Sequence, residues 1–179
     1  MISFRKKTWF VFILFFPLVV FAQEGMNSLP EYLLKFCTDP HCEICGYVDQ
    51  NGDTIVPAGK YNMCLTDTIK NFGVVLQAGK GFIGIDKHGS FLFEIFLYDN
   101  GPDYISEGLF RITGNGKIGY ADSTGTIVIK PRFECACPFR DGVAKVSMEC
   151  TERHEGEHKI WESENWFYIN KKGDKTEIP

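Results

Sequence analysis

The chain has 179 residues, with 19 Lys and Arg against 23 Asp and Glu for a formal net charge of −4, and 44% of it is hydrophobic. That is enough to bury one core and too short for a multidomain machine, and it excludes disorder, a collagen and a multi-pass membrane protein. Residues 1–22 hold six of the 16 phenylalanines and three basic side chains, so the other 157 residues carry a net charge of −7, which argues against nucleic acid and anionic membrane surfaces as partners.

Arg5, Lys6 and Lys7 precede fourteen apolar residues from Trp9 to Ala22, and Val20-Phe21-Ala22 sets small side chains at the −3 and −1 positions of a cut. That order of basic, apolar and small-residue regions predicts a secretory signal peptide over 1–22, cleaved after Ala22. The run falls short of the roughly 20 residues that span a bilayer, and Pro17 interrupts it. The expectation is a periplasmic or secreted protein with no membrane span after cleavage.

Residues 23–44 read as an N-terminal helix and Cys-rich cap. Ser28-Leu29-Pro30-Glu31 has the form of a capping box, and Leu29, Tyr32, Leu33, Phe36 and Cys37 follow at helical spacing. The predicted element is one short helix lying as a lid over an open sheet end. Cys37, Cys42 and Cys45 begin a set of seven cysteines completed by Cys64, Cys135, Cys137 and Cys150. All seven are disulfide candidates in an oxidising compartment, in up to three bridges with one thiol left over and connectivity open, and buried free thiols are the alternative. Cys135 and Cys137 share one face of an extended segment, so each would pair elsewhere. Cys37-x4-Cys42-x2-Cys45 with His41 also has soft zinc ligands, but a zinc ribbon needs a second Cys-x-x-Cys, and no thioredoxin-like pattern supports a redox pair. No metal and no cofactor are expected.

From Cys45 onward four segments repeat: Gly46-Tyr47-Val48-Asp49-Gln50-Asn51-Gly52, Ile83-Gly84-Ile85-Asp86-Lys87-His88-Gly89, Gly119-Tyr120-Ala121-Asp122-Ser123-Thr124-Gly125 and Phe167-Tyr168-Ile169-Asn170-Lys171-Lys172-Gly173. Their last glycines are 37, 36 and 48 residues apart, a repeat with one insertion. Asp or Asn opening the turn accepts a backbone hydrogen bond two residues on, and glycine at the fourth position tolerates positive φ. Each segment therefore predicts a hairpin built on a type I turn closed by a glycine bulge. A second strand recurs at Phe72-Gly73-Val74, Glu107-Gly108-Leu109 and Asp141-Gly142-Val143, and Gly79-Lys80-Gly81 and Gly114-Asn115-Gly116 form hairpin tips. Longer excursions such as 97–106 join the strands. The expectation is an all-β fold of about ten short strands, a meander of β-hairpin repeats in a curled sheet or short solenoid, with about three and a half degenerate units over 45–179.

These segments resemble the WG-repeat (KWG-repeat) family of bacterial proteins, whose pattern runs Trp-Gly-aromatic-aliphatic-Asp-x-x-Gly, an aliphatic strand ending near proline, an aromatic excursion, then Phe-x-x-Gly-aliphatic-Ala-x-Val. The fullest match runs from Ile118-Gly119-Tyr120-Ala121-Asp122 through Pro131-Arg132-Phe133 and Pro138-Phe139-Arg140-Asp141-Gly142-Val143-Ala144-Lys145-Val146. The family's Trp position holds Cys45, Phe82, Ile118 and Trp166, and its Gly position holds Gly46, Ile83, Gly119 and Phe167. The resemblance implies a β-repeat architecture and a binding or scaffolding role, and it transfers no catalytic residue.

The insertion, residues 147–165, contains His154-Glu155-Gly156-Glu157-His158, a literal His-Glu-x-x-His. A zinc protease needs those histidines one helical turn apart, whereas the central glycine costs a helix about 1 kcal/mol and no apolar stripe accompanies the motif. A charged hairpin fits better, and a metal-dependent hydrolase using His154, Glu155 and His158 is the alternative to a non-enzymatic module. The expected function is an exported interaction module contacting a protein or glycan of the bacterial envelope. Trp161, Trp166 and Tyr168 are its candidate ligand-binding residues, with a core role as the plainer alternative for the last two.

Overall fold

Four local turns organise the molecule. In the computed structural model, which describes residues 29–155 and 158–177, Asp49 Oδ1 accepts the amides of Asn51 and Asp53, both at 2.9 Å. Asp86 does the same for His88 and Ser90 (2.8 and 2.9 Å), Asp122 for Thr124 and Thr126 (2.9 and 3.0 Å), and Asn170 for Lys172 and Asp174 (2.9 and 3.0 Å). In each turn the fourth-position glycine, Gly52, Gly89, Gly125 or Gly173, adopts φ between 72° and 88° and donates its amide to the first residue's carbonyl. One carboxylate or amide oxygen thus satisfies two turn amides, and a Cβ-free residue closes the turn. The signal sequence expected over 1–22 lies outside the described residues.

The strands run in chain order around these turns. Ahead of the first turn are β1 (Leu33–Cys37) and β2 (Cys45–Val48), and after it come β3 (Thr54–Val56), β4 (Met63–Cys64), β5 (Thr68–Ile69) and β6 (Phe72–Gln77). The next unit has β7 (Gly81–Asp86), β8 (Phe91–Ile95), β9 (Leu97–Tyr98), β10 (Gly101–Pro102) and β11 (Leu109–Gly114). The third has β12 (Lys117–Asp122), β13 (Ile127–Phe133), β14 (Cys135–Ala136) and β15 (Val143–Ser147). The insertion carries β16 (Thr151–Glu155) and β17 (His158–Glu162), and the last turn joins β18 (Phe167–Asn170) to β19 (Lys175–Thr176). These nineteen among the described residues exceed the expected ten, in part because the excursions add two-residue pairings.

All named pairings are antiparallel. The central sheet has the order β13-β12-β11-β8-β7-β6-β4, flanked by a β3-β2-β1-β5 sheet and a β14-β15-β18-β19 sheet. One hairpin recurs. Phe72 pairs with Asp86, Leu109 with Asp122 and Val143 with Asn170, so the strand ahead of each later unit is bonded to the strand that opens it.

The N-terminal helix is a correction. Residues 33–37 form β1, which pairs with β2 from Leu34↔Val48 to Cys37↔Cys45 and with β5 at Leu33↔Ile69. The segment occupies the place that Phe72–Gln77, Leu109–Gly114 and Val143–Ser147 hold in later units, so it is a copy of the repeat strand and not a lid. An isolated helix of some ten residues is marginal in water, and strand pairing here buries Leu33 completely and joins Cys37 to Cys45 in a disulfide.

Alternation places three core clusters. Leu33, Tyr47, Ile69, Val75, Ile83 and Ile85 form one, and Tyr120, Phe133, Phe139, Val146 and Ile169 another. The third, Phe93, Ile95, Phe110 and Ile112, lies on the opposite face of the central sheet, with Phe72, Phe93 and Phe110 ring centroids 5.6–5.9 Å apart. Tyr47 and Tyr120 are equivalent, both buried, and each donates its hydroxyl to a carbonyl of the following excursion, Thr66 at 2.8 Å and Cys137 at 2.6 Å. Gly46 and Gly119 precede them where a Cβ would collide with the backbone of Val56–Ala58 and Ile129–Pro131 respectively. This gives the repeat's glycine a physical basis, since the bulged partner strand lies against the glycine Cα.

Candidate binding site

The 97–106 excursion is built around a buried charge. Arg111, in a strand whose neighbours Phe110 and Ile112 are core residues, is 3% exposed. A buried guanidinium requires a partner, and Asp103 supplies one. Its Oδ1 accepts from Nη2 at 2.5 Å, and its Oδ2 accepts from Nε at 2.9 Å and from the Arg111 amide at 2.8 Å. Nη1 donates to the Ala136 carbonyl at 3.2 Å, which ties the excursion to the third unit. This bidentate geometry is the form in which an Arg–carboxylate pair is strongest and most directional.

Aromatic rings extend from that pair in both directions. The Arg111 guanidinium lies 4.2 Å from the centroid of Phe96 and 5.5 Å from that of Tyr98. Phe96 meets Trp161 edge-on at 5.7 Å, and Tyr98 meets Tyr104 edge-on at 5.3 Å. The result is a ladder running from the insertion hairpin, through the ion pair, to Tyr104. At its outer end Leu97, Tyr98, Tyr104 and Ile105 are 46–61% exposed, an apolar patch held on a rigid support.

Beside the patch is a cavity of about 640 Å³ lined by Tyr104 and Ser106, by Cys137 to Asp141 of the next excursion, by Val143 and Lys145 of β15, and by Tyr168 of β18. Ser106 donates its hydroxyl to the Phe139 carbonyl at 2.6 Å, which joins the two excursions across it. The Glu107 carboxylate accepts the Gly142 amide and pairs with Lys171 at 3.1 Å, and the Lys171 ammonium holds that carboxyl below its usual range. Burial raises the Cys137 thiol pKa, an effect that Arg111 and Lys145 partly offset, so at neutral pH the group is a protonated thiol and not an activated nucleophile. The lining is suited to holding a ligand by ring faces, hydroxyls and the Arg140 and Lys145 cations.

Of the residues singled out in the sequence, Tyr168 lines this cavity and Trp161 packs at the far end of the ladder against the third unit's core. Trp166 lies under the Lys145 ammonium, 4.8 Å from its centroid, and so flanks the cavity indirectly. Tyr98 and Tyr104 were missed. The available signal was Arg111 itself, a charge inside an apolar strand that demanded a partner from the neighbouring aromatic excursion.

Two disulfides form, Cys37–Cys45 and Cys135–Cys150, while Cys42 is exposed, Cys64 buried and Cys137 half-buried as free thiols. Cys135 pairs away from Cys137, as expected from their shared face, whereas Cys137 was expected to pair elsewhere and is a free thiol. His154 and His158 lie on paired strands, with His154↔Lys159 and Glu155↔His158 in register, and not on the one helical turn that the two-histidine zinc motif needs. No helix among the described residues is long and apolar enough to cross a membrane.

Residues 118–149, from β12 through β15, match the family model described as the WG containing repeat. No curated protein and no solved structure matches the chain. The repeated turn geometry at Asp49, Asp86 and Asn170 extends the same unit beyond the matched span.

Proposed function

We propose that this WG-repeat chain is an exported, non-enzymatic interaction module of the bacterial envelope, which binds a protein or a glycan through the Tyr98–Tyr104 platform and the cavity beside it. The observation that carries this reading is the support beneath the platform. A buried bidentate ion pair and a stacked guanidinium fix two tyrosines that remain half exposed. Immobilised aromatics give a partner large contact area without further loss of side-chain entropy, which is why such residues dominate binding energy at interfaces. Glycan rings and protein side chains both use such faces. The two disulfides fit an oxidising compartment.

Capture from an envelope extract, with wild-type protein and a Tyr98→Ala/Tyr104→Ala variant side by side, tests the reading. A partner retained by the first and lost by the second supports it, and equal capture by both contradicts it. Co-sedimentation with purified peptidoglycan distinguishes a glycan from a protein. Near-stoichiometric zinc in the purified protein would instead favour a hydrolase using His154, Glu155 and His158.

A further inference from the structure

The loop between β1 and β2 brings three sulfurs together. The Sγ atoms of Cys37, Cys42 and Cys45 all lie within 4.8 Å of one another, with Cys37 and Cys45 joined and Cys42 a free, exposed thiol. The loop is constructed to hold Cys42 there. The Asp39 carboxylate accepts the amides of His41, Glu43 and Ile44 at 3.0, 3.0 and 2.6 Å, and these bonds, that to Ile44 foremost, hold its pKa below the usual value. Cys42 itself adopts φ of 56°, a left-handed conformation unfavourable for a residue with a Cβ, and its carbonyl oxygen lies 3.2 Å from Cys45 Sγ. A metal is the poorer occupant, because the set stops at three sulfurs and two of them are already bonded to each other.

From this geometry we infer that Cys37, Cys42 and Cys45 form a thiol–disulfide exchange site, whose co-substrate is an external low-molecular-weight thiol. Cys42 loses its proton to water, and its thiolate attacks Cys45 Sγ. The Cys42–Cys45 bond forms, the Cys37–Cys45 bond breaks, and Cys37 leaves with the electron pair and takes a proton from solvent. Nothing is oxidised or reduced overall. Attack at Cys45 makes the half-exposed Cys37 the leaving thiolate, where water can solvate and protonate it, and carries the exposed Cys42 sulfur into the new bridge. The two isomers differ in access. Cys37–Cys45 shields one sulfur in the core, while Cys42–Cys45 puts an exposed sulfur into the bridge. An external thiolate attacks that Cys42 sulfur, forming a mixed disulfide, and Cys45 leaves as the thiolate and is protonated. A second external thiol then releases Cys42, so that two external thiols are oxidised as one bridge is reduced. Loss of the bridge leaves β1 held to β2 by strand pairing alone.

The test uses reduced glutathione as the probe, with alkylation quenching and peptide mapping, and Cys135–Cys150 serves as an internal reference bridge. In wild type a Cys42–Cys45 peptide and glutathione-bound Cys42 are expected. Cys42→Ser, at an exposed position, should slow reduction of the first bridge by about tenfold, because the exposed Cys42 sulfur is then never presented to the external thiol, and leave Cys135–Cys150 unchanged. Cys37→Ser equilibrated with glutathione and its disulfide should close the Cys42–Cys45 bond. An unchanged rate in Cys42→Ser, or two free thiols at Cys42 and Cys45 in Cys37→Ser, overturns the proposal.

Discussion

The hairpin tips of this protein are of two kinds. Between β11 and β12 the chain reverses through Asn115-Gly116, and between β6 and β7 through Ala78, Gly79 and Lys80, with positive φ at Asn115, Gly116 and Gly79. The equivalent tip between β1 and β2 takes seven residues, and that between β15 and β18 takes nineteen with a hairpin of its own. Neither tight tip carries a cross-link, whereas Cys37–Cys45 closes the base of one expanded tip and Cys135–Cys150 anchors the start of the other. A short left-handed turn specifies the reversal locally. Where the tip has lengthened the two-residue turn is gone and closing the longer loop costs more entropy, and a covalent bond adds to the local hydrogen bonds that remain, such as those of Asp39. The 97–106 excursion follows the same logic with the Arg111–Asp103 pair as its clamp.

If the clamps do this, breaking them has ranked consequences. Asp103→Ala leaves Arg111 buried without its carboxylate and should cost about 3–5 kcal/mol by denaturant unfolding, the largest single effect. Removing the Cys135–Cys150 bridge, which closes 15 residues, should cost about 3 kcal/mol, and removing Cys37–Cys45, which closes eight, about 2.5 kcal/mol. In that second background, replacing Asp39 to Glu43 with Asn-Gly should recover about 1 kcal/mol, because the tight turn again supplies what the bridge supplied. The same loop grafted in place of Asn115-Gly116 should destabilise the intact protein by a similar amount.

The smallest expected effect is acid sensitivity. Hydrogen bonds from the Ile44 and Glu43 amides lower the pKa of Asp39, the Lys171 ammonium that of Glu107, and the Thr124 hydroxyl that of Asp122. The folded state therefore releases these protons more readily than the unfolded chain. Their contribution is complete above the unfolded carboxylate values near ~4 and is lost as pH falls through the lowered folded values. Thermal melts between pH 6 and 2 should show this loss, with Asp122→Asn flattening the slope.

The same distinction decides what the sequence could reveal. The three Asp-x-x-Gly turns and the Asn170 turn were legible because their chemistry is complete within five residues. Strand β1 was not. Leu33, Phe36 and Cys37 also fit helical spacing, and only pairing with Cys45 to Val48, which is non-local, settles the choice. The proposed site was half legible. Tyr168, singled out for its place beside the insertion hairpin, lines the cavity, but Tyr98 and Tyr104 are brought together only through Asp103 meeting Arg111 across the excursion. The disulfide partners were beyond reach, since Cys135 and Cys150 approach through the register of β14 on β15 and the course of the insertion.

Native-state hydrogen exchange before and after reduction tests the central claim most directly. If the cross-links fasten expanded tips onto repeat units that are stable in themselves, reduction will speed exchange in residues 38–44 and 148–166 while amides of β11, β12 and β15 remain protected. Loss of protection throughout β11, β12 and β15 on reduction would contradict this and make the bridges part of what holds the core together.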